Sequence, residues 1–302
     1  MIRIGVDFGG TKIEAAALGP DGAVRARIRK PNPGSYDAAL RAVRELIEQV
    51  EAQAGGRGSI GIGIPGSPSP RDGRVRNANS TWLNGRLFGA DLEAVLGRPV
   101  RLANDANCFA LSEALEGAGV GAASVFGVII GTGCGGGVVI DGRLVEGSNG
   151  IAGEWGHTPL PWARPDEHPG PPCWCGRRGC MEMWVSGTGF EADFERHTGR
   201  RLEAPQIVAE LRAGEAAAKA ALDRYVDRLS RGLAMIADIL DPEVIVLGGG
   251  MSNVDEIYPD LPDRIASRAF SDAYAVRVLK ARHGDSSGVK GAAWLWPLES
   301  VG

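Results

Sequence analysis

The feature that most constrains this chain is a strand and turn pattern that it uses twice. The first copy runs Ile2–Asp7, the turn Phe8-Gly9-Gly10-Thr11, Lys12–Leu18, the turn Gly19-Pro20-Asp21-Gly22 and Ala23–Ile28. The second runs Ser124–Ile130, Gly131-Thr132-Gly133-Cys134-Gly135, Gly136–Ile140, Asp141-Gly142 and Arg143–Val145. In both, short apolar runs read as strands and Gly, Pro and Asp punctuate them as tight turns. A duplicated unit of this kind predicts two related halves, each with its own sheet. Between the copies lie a helix expected over 36–53, an apolar strand at 59–64, a loop rich in Pro, Gly, Ser and Asn, and a helix starting near Asn104. This alternation specifies an α/β architecture with mixed sheets.

Farther on, Leu222, Tyr225, Val226, Leu229, Leu233, Ile236 and Leu240 recur at steps of three and four, the apolar face of a long helix that Asp241-Pro242 ends. Val244–Leu247 then reads as a strand whose carboxyl end carries Gly248-Gly249-Gly250. In open α/β sheets ligands bind at that edge. The segment Arg164–Pro172, with four prolines and no apolar pattern, is expected to be disordered. A length of 302 residues suits two packed lobes. They are drawn here as 1–117, completed by 288–302, and 118–287.

Composition removes several classes of function. A net charge of -4 supplies no basic field for DNA or RNA, so no nucleic-acid partner is expected. No window approaches the roughly 20 apolar residues of a membrane span, and the N-terminus lacks the basic and apolar regions of a signal peptide, so the reading is cytoplasmic with no membrane partner. Glycine, at 45 of 302 residues, is about twice its ordinary usage, which calls for many tight turns or phosphate loops. Three of the five cysteines fall within eight residues, a spacing that suits a metal site in a reducing compartment better than disulfides.

Three Gly-rich turns follow apolar strands: Asp7-Phe8-Gly9-Gly10-Thr11-Lys12, Gly131–Gly135 and Gly248–Gly250. Each can present backbone N–H groups with no Cβ in the way, as phosphate oxygens require, although any one alone could be a plain hairpin turn. None has the Walker-A spacing, so a P-loop fold is disfavoured. Asp7 could hold the water shell of a magnesium ion, or simply start the turn. Asp105, in Asn104-Asp105-Ala106-Asn107, is either a helix-start residue or the base that takes the proton of an attacking hydroxyl. A helix N-terminus would keep it ionised, and a loose phosphoryl-transfer transition state tolerates so weak a base. His157, Cys173, Cys175 and Cys180 form a complete four-ligand zinc set. With no open position for water or substrate, that zinc is read as structural. Glu154 and Glu182 flank the set, either as acceptors for sugar hydroxyls or as solvated carboxylates.

These residues together resemble the ROK family (repressor, open reading frame, kinase), closest within it to bacterial fructokinases, also described as manno(fructo)kinases. The matching stretches are Asp7–Lys12, Asn77–Gly85, Asn104–Asn107, Gly131–Gly135, Gly153–His157, Cys173–Glu182 and His283–Gly288, so the resemblance covers essentially the whole chain. It implies the actin/hexokinase-like (ribonuclease H-like) two-lobed fold with duplicated sheets. By the same resemblance Asp105 is the catalytic base, and Asn79, Asn104, Asp105, Glu154, His157 and Glu182 bind the sugar. Asp7, Gly9, Gly10, Thr11, Lys12, Gly131, Thr132, Gly133, Cys134, Gly135, Gly248, Gly249 and Gly250 hold the nucleotide. The expected reaction is transfer of the ATP γ-phosphate, with Mg2+, to the 6-hydroxyl of D-fructose by a homodimer. Glucokinase and N-acetylglucosamine kinase activities are the alternatives within the family, and a sugar-responsive transcriptional regulator is the alternative outside catalysis. That last reading needs an N-terminal helix-turn-helix, where the first strand already starts at Ile2. The interval from His157 to Cys173 is longer than is common in the family, and His157 serves both zinc and sugar through its two ring nitrogens.

Overall fold

A computed structural model describes residues 2–284 and 287–296. Asp285 and Ser286 of the His283–Gly288 stretch, and residues 297–302 of the completing segment, lie outside the described residues.

The first sheet contains β1 (Ile2–Phe8), β2 (Lys12–Leu18), β3 (Val24–Pro31), β4 (Gly58–Ile64) and β7 (Val100–Asn104), in the order β3-β2-β1-β4-β7. The small pair β5 (Ser67–Pro68) and β6 (Val75–Arg76) forms a separate ribbon. β1 is antiparallel to β2 and parallel to β4, which in turn is parallel to β7. β3 runs farther than the expected Ile28, because its pairing with β2 continues to Lys12 opposite Pro31. One face carries α1 (Tyr36–Ala54), which buries Ala39, Val43, Leu46, Ile47 and Val50 and ends at Gly55 in the left-handed conformation. This stripe at helical spacing is what holds α1 on the sheet. α2 (Phe88–Leu96) adds Phe88, whose ring meets Phe8 edge-on at 5.1 Å. α3 (Asp105–Leu115) packs against α9 (Ser287–Ala293), and α9 lies on β1 and β4. That approach requires glycine: a Cβ at Gly5 would collide with the Val289 carbonyl, and one at Gly291 with the Cys108 carbonyl.

The second sheet contains β8 (Ser124–Ile130), β9 (Cys134–Ile140), β10 (Arg143–Val145), β11 (Val244–Gly248) and β12 (Arg277–Lys280), in the order β10-β9-β8-β11-β12. Position for position this is the topology of the first sheet, so the repeat in the sequence is a repeat in strand order. β9 starts at Cys134, earlier than the expected Gly136, because the turn closes by Gly131 N–H donating to the Gly133 carbonyl at 3.0 Å.

By contacts the chain divides into Met1–Gly121 with Gly137–Ala152 and His283–Gly302, and Ala122–Gly136 with Gly153–Arg282. The sequence reading had kept 118–287 together. Residues 137–152 join the first unit because Gly137 lies on α3, where an added Cβ would sit 2.7 Å from Ala110, and because Arg76 donates to the Asn149 carbonyl at 2.7 Å.

The second unit also holds α4 (Glu182–Val185), α5 (Gly187–Thr198), α6 (Ala204–Arg212), α7 (Ala216–Leu240) and α8 (Leu261–Ala266). α7 buries Leu222, Tyr225, Val226, Leu229 and Leu233, and also Asp227, Arg228 and Arg231. The charged residues explain why Arg164–Pro172 is not disordered. Pro165–Glu167 forms a 3-10 turn, and Glu167, 5% exposed, accepts from Arg228 Nε at 2.8 Å and from Arg231 Nη2 at 2.7 Å. Asp193 takes Arg228 Nη1 at 2.6 Å and Asp227 takes Arg268 Nη2 at 2.8 Å, so the network ties the loop to α5, α7 and the segment after α8. Among the described residues no helix is long and apolar enough to cross a membrane.

Burial alone would raise the Glu167 pKa, but the donors from Arg231, the Arg164 backbone and Arg228 outweigh it and hold the carboxyl at about 2. A carboxylate depressed in the folded state stabilises above its unfolded value of about 4.3, and that contribution disappears as pH falls toward 2. Glu167→Ala removes the carboxylate that Arg228 and Arg231 share, leaving them Asp193 and Asp227, and should cost about 3 kcal/mol in urea unfolding at pH 7. The variant should also lose part of the wild-type stability drop between pH 4.5 and about 2. An unchanged unfolding midpoint would show that the network is not structural.

Candidate active site and metal cluster

In the first unit, the parallel register of β1, β4 and β7 sets Asp7 opposite Gly63 and Ile64 opposite Asn104. Asp7, Asn104 and Asp105 therefore leave the sheet at one carboxyl edge. Asn104 caps α3: its Oδ1 accepts from Ala106 N–H at 2.8 Å while its Nδ2 donates to the Gly66 carbonyl at 3.1 Å. Asp105 is the first helical residue, exposed, with Oδ1 also accepting from Ala106 N–H at 2.8 Å. The helix-start reading holds: the first turn of α3 presents this carboxylate, and the helix dipole favours a negative charge there. Asp7 is half-buried, and its pKa is pushed up to about 6, first by burial and then by the Asp105 and Glu14 carboxylates, with Lys12 and Arg29 opposing. The turn Gly9–Lys12 is pinned by Asn32, whose Nδ2 donates to the Gly9 carbonyl at 2.7 Å. Asn79 is exposed and accepts from Ser80 N–H at 2.8 Å, on a loop clamped by Asn84, whose amide bonds both the N–H and the carbonyl of Ala78.

In the second unit, β8 and β11 run parallel with Ile129 opposite Gly248, so Gly131–Gly133 and Gly249–Gly250 again share a carboxyl edge. Gly187 N–H donates to the Gly131 carbonyl at 2.7 Å and Thr188 Oγ1 to the Thr132 carbonyl at 2.9 Å. A cavity of about 530 Å3 opens there, lined by Gly131, Thr132, Gly250 and Met251 and walled by Thr188 and Glu191 of α5 and Val208 and Arg212 of α6. The sequence reading had named only the turns. The wall residues sit on helices whose approach to the turns is set by tertiary packing. Cys134 and Gly135 belong to β9, not to the turn, and Cys134 N–H, expected among the phosphate donors, is donated to Glu182 Oε2 at 3.0 Å.

The four expected metal ligands come together: Nδ1 or Nε2 of His157 and Sγ of Cys173, Cys175 and Cys180 lie within 4.8 Å of one another. Cys173 Sγ is 3.6 Å from His157 Nδ1, and Cys175 Sγ is 3.6 Å from Cys180 Sγ. Tetrahedral zinc with its usual bond lengths would separate two thiolates by about 3.8 Å and a thiolate from an imidazole nitrogen by about 3.5 Å. The donor set and spacing therefore fit zinc. Burial, and then the adjacent thiols, push the Cys180 thiol up to about 12. His157 sits at the end of the 3-10 turn Trp155–His157, whose Trp155 Nε1 donates to the Gly135 carbonyl at 3.0 Å, and exposed Glu154 opens the same turn. Trp174, between two of the cysteines and unassigned by the sequence reading, donates from Nε1 to Glu182 Oε1 at 2.8 Å. Its ring stands edge-on to that of His157 at 4.8 Å.

A ROK family model matches residues 3–299. The chain belongs to the ROK family. It is 44% identical to an N-acetyl-D-glucosamine kinase of Pectobacterium atrosepticum over 98% of this chain and 99% of the relative. Among solved structures, the ROK hexokinase of Thermus thermophilus matches with a TM-score of 0.88 and 33% identity, over 98% of this chain and 97% of that one. A ROK family glucokinase from Streptomyces griseus, in complex with glucose and AMPPNP, matches with a TM-score of 0.73 and 28% identity over 97% and 98%. The fold is the hexokinase-like α/β fold expected, with two mixed sheets. The fructokinase assignment and fructose as substrate are overturned, since near-full-length relatives are N-acetyl-D-glucosamine kinases. Within the matching stretches Asn77–Gly85 and Gly153–His157, several positions serve the fold: Leu83 and Ser80 are buried, Asn84 clamps its own loop, and Gly156 packs so closely that a Cβ would collide with the Cys134 carbonyl.

The Asp7 pKa yields a test of sign. Its folded value of about 6 lies above the unfolded value of about 3.9, so ionising it costs stability as pH rises through that window, with the full cost present above about 6. Asp7→Asn should stabilise the metal-free protein at pH 7.5 by about 2 kcal/mol, and the gain should shrink to nothing below about pH 4. Denaturant titrations across pH read this out, and a gain independent of pH would contradict the burial of Asp7.

Proposed function

We propose that this chain is an ATP-dependent sugar kinase that transfers the γ-phosphate of ATP to a hydroxyl of N-acetyl-D-glucosamine. The observation that carries the sugar is the 44% identity, across nearly the full length of both chains, to an N-acetyl-D-glucosamine kinase. The geometry supports the chemistry. Asp105 accepts the proton of the attacking hydroxyl from the start of α3, where the helix dipole keeps it charged without a strong basicity that the reaction does not need. Asn104, locked by its cap and by Gly66, stands beside it as a sugar contact, with Asn79 on the loop that Asn84 clamps.

The nucleotide is assigned to the Gly-rich turns, and its adenosine portion to the 530 Å3 cavity between the Gly248–Gly250 segment, α5 and α6. Asp7 would hold Mg2+ through its water shell, and the ion would neutralise charge on the phosphates. After burial, the Asp105 and Glu14 carboxylates raise the Asp7 pKa, a field that a divalent cation beside Asp7 would relieve. Zinc on His157, Cys173, Cys175 and Cys180 would have no free position, so its part is to set the loop that carries Glu182 and the outer nitrogen of His157. Glu154, His157 and Glu182 are assigned to sugar hydroxyls.

A steady-state panel of N-acetylglucosamine, glucose, mannose, N-acetylmannosamine and fructose should give the highest kcat/KM for N-acetylglucosamine. A higher value for any other sugar would replace it as the substrate. Asp105→Asn should fold normally and lose about 10²–10⁴-fold in kcat, as for a missing general base. Near-wild-type turnover would remove Asp105 from that role.

A further inference from the structure

The residue between Cys173 and Cys175 is a tryptophan with 64% of its surface exposed. Isolated exposed apolar side chains are ordinary, so what matters here is where the polar end of the indole is directed. Here the ring is held on three sides. Its backbone is fixed by the two cysteines, its edge meets the His157 imidazole at 4.8 Å, and its N–H points at Glu182 Oε1 at 2.8 Å. The other oxygen of Glu182 accepts from Cys134 N–H, on the strand that leaves the Gly131–Gly133 turn. One donor on each oxygen sets the plane of the carboxylate and still leaves lone pairs for hydroxyls.

We propose that Trp174 is a positioning residue for the sugar: its indole N–H aims the Glu182 carboxylate, linking the metal cluster to the acceptor group and, through Cys134, to the phosphate turn. This rests on the reading of Glu182 as a sugar contact in a sugar kinase. A carboxylate held by two donors keeps one orientation between turnovers, whereas one held only by Cys134 N–H swings about that bond and pays to be re-ordered when sugar binds.

Trp174→Phe keeps an aromatic ring against His157 and removes the donor. Assayed with whichever hexose the wild type uses best, it should raise the sugar KM about tenfold, with kcat and the ATP KM changed less than about twofold. Zinc per chain, by elemental analysis, and the melting temperature should stay at wild-type values. In a Glu182→Ala background the same substitution should change kcat/KM by less than about twofold, since the group it aims is gone. An unchanged sugar KM overturns the proposal, as does an equal effect with and without Glu182, or a rise in KM that accompanies loss of zinc. A different preferred hexose corrects the substrate and leaves this test intact. A wild type that phosphorylates no sugar removes the kinase reading and this proposal together.

Discussion

The structure depends on where strands stop. In each sheet an antiparallel three-stranded ribbon is joined to two parallel strands, and the parallel strands end together at one carboxyl edge. At that edge the ladder runs out and backbone groups need other partners. Glycine lets the chain turn there without a side chain, leaving the edge open to a phosphate or a carboxylate. Asp7, Asn104 and Asp105 occupy the edge of the first sheet, and the Gly131–Gly133 and Gly249–Gly250 turns that of the second. One topological device, used twice, supplies both an acid cluster and a Gly-lined cavity.

A second layer of organisation is electrostatic and lies away from those edges. Glu167, Asp193 and Asp227 take hydrogen bonds from arginines of α7 and the segments beside it, holding a proline-rich loop with little apolar surface of its own. The loop leads into the Cys173–Cys180 turn, and the turn into Glu182. The cluster of His157, Cys173, Cys175 and Cys180 is thus braced from both directions, by buried ion pairs on one side and by Trp174 and Cys134 through Glu182 on the other. The Asp7 and Glu167 pKa values move in opposite directions: burial raises both, but guanidinium donors outweigh it at Glu167, whereas the Asp105 and Glu14 carboxylates add to it at Asp7.

Much of the fold was legible because it is written in local periodicity. The duplicated strands, the helix over 36–53 and the α7 stripe each read from a short run of residues. The loop at Arg164–Pro172 was not legible, because the partners of Glu167 are Arg228 and Arg231, some sixty residues later. The walls of the cavity were missed for the same reason, and Trp174 because a lone tryptophan between cysteines has no periodic context.

The sequence alone determined the α/β class, the two strand repeats and the histidine and three cysteines that gather into one cluster, since turn chemistry, alternation and side-chain spacing act over short stretches of chain. Tertiary structure decided how those pieces are used. It placed Asp7 and Asp105 on one edge, drew His157 Nδ1 to 3.6 Å from Cys173 Sγ, and turned a segment read as disordered into an anchored loop. These outcomes depend on contacts between residues far apart in the chain, where the energy of a side chain is set by what packing brings beside it.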